Sequence, residues 1–115
     1  MLAVHIDGDV LATGCDDTIV RTWSVASGQL TRELRGHEGS VLTVSLSGSM
    51  LVSGSGDERV KVWALGEDVG ECVATCEGHS REVKGVAVSA SGGFVASQGQ
   101  GNEHGELIVW RPVRA

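Results

Sequence analysis

The sequence predicts an all-β chain built from three successive antiparallel units, and three observations carry that prediction. Glycine supplies 17 of 115 residues against one proline, and the apolar residues are mostly Val, Leu and Ala. That mixture suits short strands joined by tight turns rather than long helices. Apolar pieces of about five residues alternate with Gly-rich or acidic turn signals, the spacing of a meander. Finally, the chain repeats itself.

The repeat is visible without gaps. LATGCDDTIVRTW ends at Trp23 and LVSGSGDERVKVW at Trp63, forty residues later (63 − 23). Leu11 meets Leu51, Thr13 meets Ser53, Gly14 meets Gly54, Asp17 meets Asp57 and Val20 meets Val60, with Arg21 and Lys61 basic at one step. The pairs Gly36-His37 and Gly78-His79 lie forty-two residues apart (79 − 37). After each pair, Val41, Val44, Leu46 and Ser47 match Val83, Val86, Val88 and Ser89.

The units are expected to open near Leu2, Val41 and Val83. In the second, strands are expected at Val41–Leu46, Met50–Gly54, Arg59–Ala64 and Glu71–Glu77, separated by SGS, SGDE and LGEDVG. The third reads FVAS and then, after the insertion Gln98–Gly105, LIVW ending at Trp110. Only RPVRA follows, so a fourth strand is not legible there. Such a unit has an apolar face that it cannot bury alone, so the copies must pack against one another.

A Gly-His pair, then V-x-x-V, then an S-G-S-x-D turn, then an apolar strand ending in Trp resembles the WD40 repeat over the whole chain. The resemblance implies a partial WD40-type β-propeller of three antiparallel blades, the third lacking its last strand. The blades would be 1–35, 36–77 and 78–115. Two departures stand out. Ser24, Ala64 and Arg111 replace the Asp that normally follows Trp, and the first copy starts too late to contain its Gly-His. The second copy is also two residues shorter than the third between valine and serine, a trimmed form similar to blades of F-box-type ubiquitin-ligase adaptors.

His37, Ser53, Asp57 and Trp63 form the most suggestive polar set. Ser, His and Asp are the residue types of a hydrolase triad, yet no oxyanion hole or exposed hydroxyl is signalled. The resemblance implies instead a structural tetrad. Indole donates only, hydroxyl and neutral imidazole do both, and carboxylate accepts only, so one buried chain satisfies all four. Partial sets occur elsewhere: Thr13, Asp17 and Trp23 lack a His, while His79, Ser97 and Trp110 lack an Asp. With its turn displaced and no Asp to anchor it, the insertion is expected to be the most mobile part of its blade.

No cofactor or metal site is expected. His5, His37, His79 and His104 are spread over separate copies without Cys-x-x-Cys or His-x-x-x-His spacing. GSGDERVK lacks Walker spacing, and GQGNEHG follows no strand-to-helix switch. Cys15, Cys72 and Cys76 form no even disulfide framework. Cys72 and Cys76, four apart on one strand face, lie too far apart to bridge, roughly 13 Å. Both read as core packing residues.

The net charge of −6 argues against nucleic acid, which needs a clustered basic surface. No apolar run approaches a membrane span, and MLAVHIDGDV carries neither basic leader nor signal core. Together with the uneven cysteine count, these features make an intracellular, cytoplasmic or nuclear location the expected one. The expected function is a non-enzymatic scaffold or adaptor that binds other proteins; the alternative is the substrate-receptor portion of a ubiquitin ligase complex. By resemblance, the candidate protein-binding rim is Asp16 in the first copy, Ser40, Leu42 and Gly56 in the second, and Glu82 and Lys84 in the third.

Three blades do not close a ring. The missing blades would come from a longer parent chain, from self-association or from another chain. Val4, Ile6, Val86, Val88, Ile108 and Val109 are expected on the end faces, where they would drive association.

Overall fold

The computed structural model describes residues 3–65, 70–77, 82–88, 95–99 and 106–110. Every regular element among them is a strand. The first sheet is β1 (Ala3–Asp7), β2 (Val10–Gly14), β3 (Val20–Ser24) and β4 (Leu30–Leu34), and the second is β5 (Val41–Ser47), β6 (Met50–Ser55), β7 (Arg59–Leu65) and β8 (Gly70–Glu77). The third holds β9 (Val83–Val88), β10 (Val95–Gly99) and β11 (Glu106–Trp110). Each is an antiparallel meander in chain order. The sequence reading placed the second unit's strands to within a residue at each end; it did not single out β4.

The turns explain why the strands stop where they do. Gly8 and Gly48 take left-handed backbone, φ 61° and 58°, at the matching turns after β1 and β5. That conformation costs a glycine little. At the turns before β3 and β7 the left-handed residues are instead Thr18 and Glu58, φ 75° and 72°. An Asp carboxylate compensates there. Asp17 Oδ1 accepts the Ile19 amide at 3.1 Å, and Asp57 Oδ1 accepts the Arg59 amide at 2.9 Å.

Burial follows from stacking. The middle sheet is covered on both faces, so its strands show runs of buried residues where alternation would leave every second one in water. Leu51, Trp63 and Leu65 join Ala12, Val20, Leu34, Val41, Val44 and Leu46 in one core against the first sheet. Val52, Val60 and Val62 join Val83 and Val95 in a second core against the third. The opening strands β1, β5 and β9 lie side by side at the inner edge of the stack. Side chains of β1 lock two sheets together there: His5 Nδ1 accepts the Leu46 amide at 2.8 Å and Asp7 Oδ2 the Gly48 amide at 2.9 Å.

β-Bulges recur at equivalent places. One lies opposite the tryptophan in both four-stranded sheets, between Thr22 and Trp23 and between Val62 and Trp63. Another gives β5 an extra residue at Leu42 and β9 one at Lys84. An extra residue breaks the two-residue alternation, which corrects the expected facing of the cysteines and of Val86 and Val88. Cys72 pairs with Trp63 and Cys76 with Val60, but Ala74 pairs with Val62, so one residue between them is surplus. Four residues apart is therefore no even step along one face, and Cys72 is exposed instead of packed in the core; the Cys76 side chain lies outside the description. Val86 and Val88 pack on the Val52 core and do not lie on the end face of the stack. Gln98 and Gly99 belong to β10, leaving 100–105 of the expected insertion, and its expected mobility, outside the described residues. On the opposite end of the stack, Val4 and Ile6 are 63% and 55% exposed.

Candidate functional site

Four side chains of the second sheet meet in one hydrogen-bonded line. The β6–β7 register brings Ser53 beside the Trp strand, and the segment before β5 carries His37 over both. Trp63 Nε1–H donates to Ser53 Oγ at 2.9 Å, Ser53 Oγ lies 2.7 Å from His37 Nε2, and His37 Nδ1 lies 2.9 Å from Asp57 Oδ2. Only one tautomer satisfies every atom: Ser53 donates to Nε2, and Nδ1–H donates to the carboxylate. His37 and Ser53 are buried. The Glu38 amide also donates to Asp57 Oδ2 at 2.9 Å. The Trp63 ring meets the imidazole edge-on, with centroids 6.3 Å apart.

The electrostatics agree with a neutral imidazole beside an ionised carboxylate. Burial pushes the His37 pKa down, and Asp57 offsets this only partly. Burial pushes Asp57 up, but the Glu38 amide, the His37 N–H and the Arg59 amide outweigh it and hold the carboxyl below its usual value. The contact is a hydrogen bond between neutral and charged groups, not an ion pair. A serine that donates into its histidine could serve as a nucleophile only if substrate reached it, and this hydroxyl is fully buried.

The first sheet has no histidine at the position matching His37 and uses its Asp differently. Trp23 Nε1–H donates to Thr13 Oγ1 at 3.0 Å, but Asp17 turns outward to Arg21, with contacts of 2.7 and 3.3 Å. The Arg21 hydrogen bonds hold the Asp17 carboxyl down at about 2. The spacing alone did not mark this pair, because Asp57 and Lys61 stand equally far apart and Asp57 turns inward to His37. In the third sheet Ser97 is buried, whereas His79 and the Trp110 side chain lie outside the described residues.

The six candidate rim residues gather at one end of the stack, around the turns after β2 and β6 and the starts of β5 and β9. Ser40 Oγ–H donates to Asp16 Oδ1 at 3.1 Å, linking the first and second sheets. The Gly56 amide donates to the Ser40 carbonyl at 2.9 Å. A methyl group on Gly56 would lie 3.2 Å from Glu82 Oε2, so the glycine lets the third sheet's carboxylate approach. Glu82 in turn lies 3.6 Å from Lys84 Nζ. Leu42 and Lys84 are the extra residues of matching bulges, which turn side chains out of the sheet alternation. Arg59 and Glu38, paired at 2.7 Å, border this row and were not singled out from sequence. Among the described residues no group of three or more His, Cys, Asp or Glu side chains could hold a metal ion.

The family model "WD domain, G-beta repeat" matches residues 2–24, 28–64 and 70–111, and the chain belongs to that family. The second match runs from just before β4 through β7 and the third from β8 through β11, so each of these two repeats spans two sheets, whereas the first match covers β1 to β3 alone. The anaphase-promoting complex subunit cdc20 of Dictyostelium discoideum is 38% identical over 99 residues, covering 84% of this chain and 19% of that protein. The human F-box and WD repeat domain containing protein 10B is 31% identical over 88 residues, covering 76% of this chain and 12% of that one. A crystal structure of the mitotic checkpoint complex contains a chain that superposes with a TM-score of 0.84 at 28% identity, over 95% of this chain and 34% of that one. The chain thus spans about a fifth or less of the length of these curated relatives.

Proposed function

We propose that this chain is a non-enzymatic protein-interaction scaffold whose contact surface is the row Asp16, Ser40, Leu42, Gly56, Glu82 and Lys84. The observation that carries this reading is the division of labour between the two polar sets. The Ser–His–Asp combination spends its hydrogen-bonding capacity inside the second sheet. The rim row crosses all three sheets, with Asp16, Glu82 and Lys84 exposed, Ser40, Leu42 and Gly56 half-buried, and both signs of charge at its third-sheet end. A surface assembled from consecutive repeats is how stacked-repeat proteins build extended binding faces. The acidic balance and the lack of clustered basic residues favour a protein partner over nucleic acid. No helix among the described residues is long and apolar enough to cross a membrane, and an intracellular site of action accords with this reading.

The test is affinity capture from extracts of expressing cells, using the full chain and a Glu82→Arg/Lys84→Glu variant whose thermal unfolding matches the parent. The expected result is a defined partner set lost with the rim variant. A partner set indifferent to every rim substitution contradicts the reading.

The second reading, a substrate-receptor portion of a ubiquitin ligase, draws on the 31% identity to an F-box and WD repeat protein. It predicts that the captured set contains ligase subunits together with proteins that accumulate when the proteasome is inhibited. Capture of neither sets it aside.

A further inference from the structure

The two junctions between sheets share one device, and the third sheet lacks it. At the first junction the opening valine of β5, Val41, enters a socket floored by Gly14: a methyl group on Gly14 would lie 2.6 Å from Val41 Cγ1 and 3.1 Å from its Cβ. At the second, Val83 of β9 enters a socket floored by Gly54, where the same distances are 2.5 and 3.0 Å. Both valines are fully buried. Carbon atoms in contact prefer about 3.5–4.0 Å, so the valine fits only because the floor has no side chain.

The matching residue of the third sheet is Gln98. The registers fix the correspondence: Gly54 pairs with Thr43 and Val60, and Gln98 pairs with Gly85 and Leu107. Across each pair, side chain and glycine have changed places, Thr43 with Gly54 in the second sheet and Gly85 with Gln98 in the third. The Gln98 side chain lies over the vacated position, its Oε1 3.6 Å from where a Gly85 Cβ would stand. Thr43 Oγ1 accepts an amide across the second junction, from Val86 N–H at 3.3 Å. The Gln98 amide oxygen is an acceptor beside the corresponding bare position on the third face.

We propose that Gln98 selects what can stack on the third sheet. It rejects a blade that opens with valine, as those of this chain do at Val41 and Val83. It admits a blade whose opening strand carries glycine at that position, with Gln98 Oε1 taking over the acceptor role of Thr43. The occupant is a further β-blade with a bare entry residue, stacked as the first three are.

The test extends the chain in register. Trp110 is followed by a second copy of residues 64–110, which supplies a fourth strand to the third sheet and then a further opening strand. Four proteins are compared by limited proteolysis, reading the mass of the resistant fragment: Gln98 or Gln98→Gly in the original segment, combined with Val83 or Val83→Gly in the appended one. With both residues unchanged, the appended blade is expected to be digested at least tenfold faster than the original three. Gln98→Gly with valine reopens the glycine-floored socket, though without the Thr43 acceptor, and is expected to be resistant throughout, as is Gln98 with Val83→Gly. Equal resistance of the unchanged extension overturns the proposal. So does digestion of the Gln98→Gly/valine protein, because Gln98 would then not be the obstacle. Digestion of the Gln98/Val83→Gly protein overturns the preference for glycine.

Discussion

Asp57 terminates the buried chain that begins at the Trp63 indole, and the energetics of the site concentrate on it. Asp57→Ala leaves the His37 Nδ1–H buried without its acceptor and frees the Glu38 and Arg59 amides. An unsatisfied buried donor costs about 1–3 kcal/mol, and chemical denaturation is expected to show a loss of that size. The same site makes stability depend on pH. The unfolded imidazole takes its proton near 6.5, whereas burial lowers the folded value. The stabilisation is therefore complete above the unfolded value and declines as pH falls through 6.5 toward the folded one. His37→Gln is expected to flatten that part of the profile; an unchanged slope contradicts a neutral buried His37. At Asp17 the lowered carboxyl supports the fold above 3.8 and loses that support as pH falls toward about 2. Arg21→Gln is expected to return the Asp17 titration, followed by NMR, toward 3.8. Backbone strain gives another handle. Thr18 is β-branched and left-handed at φ 75°, so Thr18→Gly is expected to stabilise by about 0.5 kcal/mol despite the greater freedom of glycine when unfolded.

At the level of strands and turns, the sockets under Val41 and Val83 decide how closely the sheets approach. Gly54 has ordinary backbone geometry, so Gly54→Ala would usually gain stability through the unfolded state. Here the new methyl would stand 2.5 Å from Val83 Cγ1 and 2.8 Å from Thr43 Cγ2. Overpacking of that kind costs about 1–3 kcal/mol, and a thermal melt of the variant is expected to show destabilisation. The strands were legible in the sequence because they follow alternation and turn residues, whereas the buried chain came from the resemblance to the WD40 repeat, with which one donor-only and one acceptor-only end agree. The facing of Cys72, Val86 and Val88 was not legible. A single surplus residue at a bulge reverses the parity of everything beyond it, and nothing in ECVATCE or VKGVAV marks where that residue falls. The outward turn of Asp17 to Arg21 escaped for another reason. The repeat aligns Asp17 with Asp57, but the missing histidine leaves its carboxylate free to take another partner.

At the scale of the whole molecule, the three stacked blades form an open arc whose first face is uncovered. Val4 and Ile6 project from β1 with most of their surface in water, whereas the equivalent faces of the second and third sheets are buried by a neighbour. Burial returns roughly 25 cal/mol per Å², so covering even a few hundred Å² of such a face gives several kcal/mol in favour of association. Sedimentation velocity across the micromolar range, on the parent chain and a Val4→Asp/Ile6→Asp variant, tests this most directly. The expected result is concentration-dependent assembly of the parent through the β1 face and its loss in the variant. A parent that sediments as a monomer at every concentration and unfolds in one cooperative step would contradict the open arc.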